Sequence, residues 1–278
     1  ILIGDNKQLP AVVLQKEQDS ATDSPTLNAL GLLDRRNSLF ERLYNLHKKD
    51  KSSPAWGMLY QQGRMHPEVA GFSNTYFYEG RLQPVPLPHQ AAPLEFLSYD
   101  AQDPLQKLIA TKRLIFIPSQ KSESDNNKTN SHEARTAVKL VENIYALYQR
   151  NGLLFESDKS IGIIAPYRSQ IALIRRELHQ LNIGPLDKIM IDTVERFQGS
   201  QRDIIIYSFS VNYIYQLNFL ARNMEDEGIL IDRKLNVALT RARKQLFITG
   251  NPTILSNNPI YRRLIEFVSS AGGYSAQF

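Results

Sequence analysis

Residues 189–210 read IMIDTVERFQGSQRDIIIYSFS, and this stretch decides the fold. Two apolar, β-branched runs, Ile189–Thr193 and Asp203–Ser210, flank a short polar turn. The second run shows no polar alternation, which is how a strand covered on both faces reads. Upstream, Ile161–Ala165 is another short apolar run, and Ser169–Leu181 behind it carries apolar residues at helical spacing. Further upstream Asn130 precedes a helix with Glu133 three residues on. Val138, Val141, Ile144, Tyr145 and Tyr148 share one face of it, and Asn151-Gly152 closes it. Leu94–Leu97 and Arg113–Ile117 read as strands, with Pro118 ending the second. Downstream, Leu235–Arg243 reads as a helix, Gln245–Thr249 as a strand and Ile260–Val268 as a closing helix. Buried strands alternating with amphipathic helices predict an α/β domain with a mostly parallel sheet flanked by helices. In such sheets ligands gather at the carboxyl ends of the strands.

The amino-terminal part is less regular. Ile1–Gly4 (ILIG) and Trp56–Tyr60 read as strands, the first feeding a Gly-Asp loop. Ser38-Leu39-Phe40-Glu41 is a capping box, followed by Leu39, Phe40, Leu43 and Leu46 at helical spacing. Pro67 is placed at the first turn of a helix reaching about Phe77. The run from Ser119 to Asn130 is wholly polar and predicts a loop.

The composition of the 278 residues, 42% hydrophobic and 22% charged, is that of a chain able to bury a sizeable core. No apolar stretch approaches the ~18 residues of a membrane span, so no membrane partner is expected. No basic region precedes the first apolar residues, so the start does not read as a signal peptide. With no cysteine, disulfides, thiolate nucleophiles and cysteine-zinc sites are excluded, and a cytoplasmic (intracellular) location is the default. The net charge of +5 suits a polyanion partner such as nucleic acid, and equally a mixed surface with a small excess.

Several predicted strand ends carry polar clusters: Gly4–Pro10, Gln62–Pro67, Ala165–Gln170 and Thr193–Gly199, with Asn236–Arg243 on the helix before a strand. Taken singly, each has an ordinary explanation as a turn, a cap or a solvated face. Taken in order, they resemble superfamily 1 helicases of the up-frameshift and nuclease-helicase branch. GDNKQLP is similar to the family's GDxxQLP, and SLFERL to the segment after it. QQGRMHPEVAGFSNTYFYEGRL is similar to QYRMHPxIxxFxNxxFYxGxL. IGIIAPYRSQ resembles the ITPYxxQ strand end, IDTVERFQGSQRDIIIYSFS resembles TVDxFQGxExDxVIxS, and LNVALTRARKQLFITGN is nearly the sixth motif with its strand. The resemblance spans Gly4 to Asn251.

The resemblance implies a RecA-like P-loop NTPase fold, with ATP bound in a cleft between two such domains. It implies that Arg64 and Arg241 reach the γ-phosphate, Arg241 being the stronger arginine-finger candidate, since guanidinium stays charged and donates in a planar fork. It implies that Gln8 senses the γ-phosphate or positions the attacking water. Glu195 would accept from the ribose, Gln62 would contact nucleotide, and Gly199 would let backbone approach the phosphates. Thr193, Pro166, Tyr167 and Gln170 would hold the backbone of single-stranded DNA or RNA without reading sequence. Arg243 stays open between a phosphate contact and a pair with an internal acid.

Two parts of such an enzyme are not found. None of the 14 glycines precedes a lysine, so there is no Gly-Lys-Ser/Thr phosphate loop. The Asp226-Glu227 pair sits in a polar run rather than after an apolar strand, so no magnesium-binding acid motif is read. The expectation is therefore a carboxy-terminal portion of a helicase. Residues 1–62 would be the tail of the first RecA-like domain and residues 63–278 the second domain. ATP and Mg2+ would act in the full-length parent, with none bound tightly by this part and no metal site of its own. Alone it would be inactive, and residues 1–60, lacking their sheet neighbours, would either self-associate or be markedly more mobile than the rest. Gly63 stands where the family has a base-stacking tyrosine, with Tyr60 a substitute from a shifted position, and Val211-Asn212-Tyr213 departs from the usual VRSN. The alternative is a non-catalytic nucleic-acid-binding module that keeps the helicase-like fold.

Overall fold

The computed structural model describes residues 1–10, 15–48, 50, 52–123 and 125–275, which fall into two units, Ile1–Tyr60 and Gln61–Phe278. In the first unit, helix α1 (Pro25–Ala29) precedes α2 (Leu39–His47). The predicted capping box is present: Ser38 Oγ accepts from the Glu41 amide at 3.2 Å, and Glu41 Oε2 accepts from the Ser38 amide at 3.1 Å. Gly4 is pressed against Phe40 so closely that a Cβ would lie 3.0 Å from the ring. Trp56 packs edge-on to Tyr44 with centroids 6.0 Å apart. The two predicted strands, Ile1–Gly4 and Trp56–Tyr60, are not formed. Ile1 and Ile3 are almost wholly exposed, as is Leu59. A parallel strand exists only through its ladder, and among the described residues of this unit no strand lies beside either segment.

The second unit begins with a small parallel pair, β1 (Gln61–Gln62) and β2 (Gln83–Pro84), either side of α3 (Pro67–Phe77). After α4 (Pro88–Ala91) and α5 (Pro104–Thr111) come β3 (Leu114–Pro118), α6 (Ser131–Arg150), β4 (Ile161–Ile164), α7 (Arg168–His179) and β5 (Met190–Asp192). The short α8 (Val194–Phe197) leads to β6 (Arg202–Ser208), then α9 (Leu217–Leu220), β7 (Asn223–Asp226) and β8 (Ile229–Asp232). The chain closes with α10 (Arg233–Leu239), β9 (Ala242–Gly250), α11 (Pro252–Leu255) and α12 (Pro259–Ser270). The central sheet is wholly parallel in the order β3-β9-β6-β4-β5.

Strand alternation sorts the core into two layers. Ile115, Ile117, Ile161, Ile163, Ile204, Ile206 and Phe247 face α5, α6 and α7 in one buried cluster. The alternate residues meet a second set: Tyr207, Phe209 and Tyr261 of α12 form a chain of rings at 4.5 and 5.1 Å, and Phe116 stacks on Tyr274. Gly162 in β4 admits Phe197 of α8 to the sheet, since a Cβ there would meet its ring at 2.8 Å.

Two local expectations differ. Leu94–Leu97 forms no strand: Phe96 is buried against Tyr148, 5.4 Å between centroids, but Leu97 is exposed and no ladder forms. The predicted helix Leu235–Arg243 starts at Arg233 and stops at Leu239. Thr240 Oγ1 turns back onto the Asn236 carbonyl at 2.8 Å, and from Ala242 the backbone is taken into the ladder with β6. The polar run around Asp226-Glu227 is a hairpin, in which Glu227 and Gly228 at φ +53° and +80° join β7 to β8. Two successive positive φ values are the two-residue turn that matches strand twist.

Candidate nucleotide and strand site

Thr240, at the junction of α10 and β9, is the point on which two arginines converge. Arg64, half-buried, donates from a terminal guanidinium nitrogen to the Thr240 carbonyl at 3.2 Å and from Nε to Gln201 Oε1 at 2.9 Å. Arg241, only 2% exposed, donates to the Thr240 hydroxyl at 3.1 Å, to the Val237 carbonyl at 3.0 Å and to the Ser200 carbonyl at 3.4 Å. Both therefore border the Gly199–Gln201 loop, where Gly199 adopts φ +83° with open space where a Cβ would stand. Burial lowers the pKa of Arg64 from its ordinary value, with Tyr78 opposing weakly.

The turn that presents Arg64 is built from amides. Gln62 Oε1 accepts from the Arg64 and Met65 amides at 3.1 and 2.8 Å. Gln90 Nε2 donates to the carbonyls of Gln62 and Met65 at 2.8 and 2.9 Å, and His89 Nε2 is paired with the Arg64 carbonyl at 2.9 Å. His66 caps α3, and its own amide donates to the Arg243 carbonyl at 2.7 Å. Helix α10 is set by Asp232, which is buried and accepts from the amides of Lys234 and Leu235 and from the Tyr261 hydroxyl at 2.6 Å. Lys234 on that helix pairs with Glu195 of α8 at 3.0 Å. Arg243 pairs with Asp203 at 2.7 Å.

A second cluster lies at the carboxyl ends of β3, β4 and β6. Glu133, wholly buried near the start of α6, accepts from Ser119 Oγ at 3.0 Å, Ser208 Oγ at 2.7 Å and the Ser210 amide at 2.8 Å. Burial raises its pKa from 4.5 to about 7 against the pull of those hydrogen bonds. Asn130 caps α6 as predicted, its side chain accepting from the Glu133 amide. Gln170, expected at the strand, is fully buried: Oε1 accepts from the Asn130 amide at 2.8 Å and Nε2 donates to the Asn130 carbonyl at 3.0 Å. Its amide thus joins α7 to α6 inside the domain rather than facing solvent. Pro166, Tyr167 and Thr193 do reach the surface in part, and the Tyr167 hydroxyl accepts from Gln216 Nε2 at 3.2 Å.

The AAA domain family model matches residues 35–253, a span holding both clusters. The chain belongs to this family, in its superfamily 1 helicase branch. Yeast (Saccharomyces cerevisiae) helicase SEN1 is 29% identical over 271 residues, covering 96% of this chain and 10% of its own length. The Drosophila melanogaster regulator of nonsense transcripts 1 homolog is 32% identical over 274 residues, covering 96% of this chain and 20% of its own. The Bos taurus DNA replication ATP-dependent helicase/nuclease DNA2 is 29% identical over 293 residues, covering 97% and 24%. The chain thus spans a quarter or less of the length of these relatives. The five-stranded parallel sheet with flanking helices is the RecA-like fold expected of the helicase domain.

Within this helicase domain the sequence-predicted residues divide between the two clusters. Arg64 and Arg241 meet at Thr240, Gln62 holds the turn that presents Arg64, Gly199 begins the loop that both arginines border, and Glu195 is tied to α10 by Lys234. Thr193, Pro166, Tyr167 and Gln170 follow β4 and β5. Gln8 belongs to the first unit, where its side chain donates to Asp5 Oδ2 at 2.9 Å. Among the described residues no group of three acidic or histidine side chains gathers around a point that could hold a cation. Likewise no described helix is long and apolar enough to cross a membrane. His89, Gln90 and Glu133 were missed as site builders. His89 and Gln90 lie in a proline-rich stretch without periodicity. Glu133 was read only as a residue of the α6 cap, yet its burial on an otherwise apolar helix face was a visible signal.

Proposed function

We propose that the chain serves as the second motor domain of an ATP-dependent nucleic-acid helicase or translocase, working inside the cell on single-stranded DNA or RNA. The observation that supports this most is the convergence of Arg64 and Arg241 on Thr240 beside the Gly199–Gln201 loop. Two guanidinium groups in one place suit a triphosphate. In this reading ATP and Mg2+ bind against a preceding motor domain that carries the phosphate loop and the metal-binding acids. Residues 1–62 are the tail of that domain, with Gln8 as its γ-phosphate residue. Arg64 and Arg241 complete the charge stabilisation as the cleft closes, Glu195 meets the ribose, and Thr193, Pro166 and Tyr167 hold the strand while Gln170 positions their loop. The exposed Ile1, Ile3 and Leu59 make self-association through the first unit an expected property of the isolated chain, detectable by light scattering.

The test is phosphate release with and without single-stranded DNA or RNA. A protein carrying this chain behind its first motor domain turns over ATP and is stimulated by the strand. This chain alone does not. Turnover by the pure chain at motor rates would overturn the division of labour. No turnover by the longer protein would favour the non-catalytic binding module, a reading that the enclosed position of Arg241 also suits.

A further inference from the structure

Tyr213 departs from the family pattern at the carboxyl end of β6, and the structure shows what the departure builds. Tyr213 and Tyr215 stack with centroids 5.6 Å apart and planes 17° apart, and both are exposed, Tyr215 by 49%. Lys121 lies over the Tyr213 ring at 4.5 Å and donates to its hydroxyl at 2.6 Å. The exposed surface continues through Ile214 and Phe219. Solvent-facing rings of this size would be costly to display without an occupant.

We infer that the Tyr213–Tyr215 pair is a base-stacking platform, with Lys121 as its phosphate contact, that extends the single-strand path beyond Tyr167. This rests on the strand-binding reading above. Continuity supports it: Gln216, in the same turn, donates to the Tyr167 hydroxyl at 3.2 Å. Burial is the main cause holding the Tyr167 phenol above its ordinary pKa, and Tyr215 is near enough to add to it. Charge supports it as well. The loop that lies against this turn brings exposed Lys121 and Lys128, and Ser169 Oγ donates to the Lys128 carbonyl at 2.8 Å beside exposed Arg168. One exposed described carboxylate, Glu123, shares that loop. Aromatic faces interleaved with cations are the chemistry of sequence-tolerant single-strand binding.

The platform is held in place before any strand arrives. Gln216 Oε1 accepts from the Asn212 and Tyr213 amides at 2.8 and 2.9 Å. Buried Asn212 donates to the carbonyls of Asn126 and Thr129 at 2.8 and 2.7 Å. Ring positions fixed in this way lose little freedom on stacking.

The experiment uses the whole chain and dye-labelled oligothymidylate, with matched oligonucleotides carrying abasic sites, in a fluorescence-anisotropy titration. Tyr215→Ala should weaken binding about 5- to 150-fold, the range of one stacked base. Tyr215→Phe should bind as the unaltered chain does. An abasic oligonucleotide should show the same loss with the unaltered chain and no further loss with Tyr215→Ala, an outcome that a folding defect does not produce. Lys121→Ala should flatten the salt dependence by about one phosphate contact. If Tyr167→Ala weakens binding while Tyr215→Ala binds normally, the platform is refuted and the strand reading stands. If the unaltered chain binds no strand, both fall.

Discussion

The arginine cluster at Thr240 and the carboxylate cluster at Glu133 lie in one domain but are built on opposite principles. Around Thr240 two permanent cations are held by carbonyls, a hydroxyl and an amide, all neutral. Around Glu133 one carboxyl takes hydrogen bonds from two hydroxyls and a backbone amide, with no solvent access. The first arrangement joins the turn before α3, α10 and the Gly199–Gln201 loop through two cations. The second closes every contact and fixes the ends of β3, β6 and α6 relative to one another. The contrast is between cations that the proposed function gives to a phosphate and a buried carboxyl that ties elements together.

The largest effect should come from the arginine cluster. Arg241→Ala, in a protein carrying the first motor domain as well, should cut ATP turnover about 10³- to 10⁵-fold, as loss of an arginine finger does. Single-strand affinity should stay near normal. Near-normal turnover would break the comparison, because Arg241 would then be a structural arginine like Arg243.

Glu133→Ala attacks the closed cluster. It leaves the hydroxyls of Ser119 and Ser208 and the Ser210 amide without their acceptor in a dry site, at a cost of roughly 2–4 kcal/mol. Denaturant unfolding should show that loss. An unchanged midpoint would mean that the cluster contributes nothing to shape.

A sharper version uses pH. The Glu133 carboxyl titrates at about 7 in the fold and near 4.5 when unfolded, so between these values the folded state binds the extra proton. Its contribution to stability is therefore full below about pH 4.5 and declines as pH rises to about 7. Asp125 adds to the upward shift, after burial and against the three hydrogen bonds. Glu133→Gln should remove this decline, seen as the difference between the two stability profiles from pH 4.5 to 7.5. Parallel profiles would show that Glu133 is ionised throughout.

The smallest effect belongs to the bridge between α8 and α10. Glu195 is about half exposed and Lys234 less so, and such a pair contributes about 0.2–1 kcal/mol, less in high salt. A double-mutant cycle at two salt concentrations measures it. A coupling well above that range, insensitive to salt, would place Glu195 among the structural groups instead of leaving it available to a ribose.

Much of the sheet could be read directly because its strands are buried on both faces. Ile204–Tyr207 and Ile161–Ile164 carry no polar alternation, and Ser38, Asn130 and Pro67 mark helix starts through local chemistry. The hairpin of β7 and β8 escaped because its strands are half polar, although Glu227-Gly228 carried the turn signal. Ile1–Ile3 and Trp56–Tyr60 carried a strand-like composition, but composition supplies no neighbour, and without a ladder they stay irregular. Gln170 was expected to hold a strand because the Asn130 backbone that turns it inward lies 40 residues away and leaves no local trace, whereas Glu133 did show one, its place on the apolar face of α6.

What the sequence determined by itself was the order of motifs, the parallel α/β class and the identity of the candidate phosphate-binding and strand-binding residues. The order and the class depend on short-range patterns, burial period, caps and polar residues after apolar runs, whereas the candidate residues come from the resemblance of the motifs to the helicase family. What only the tertiary structure decided was which donors are open and which are closed. Arg64 and Arg241 meet at Thr240 from positions 177 residues apart in the chain. Arg243, two residues from Arg241, is committed to Asp203. Gln170 faces inward, three residues after Tyr167, whose ring reaches the surface. Such outcomes are set by which elements pack beside one another, and the free energy of a buried polar group depends on partners that only packing brings within reach.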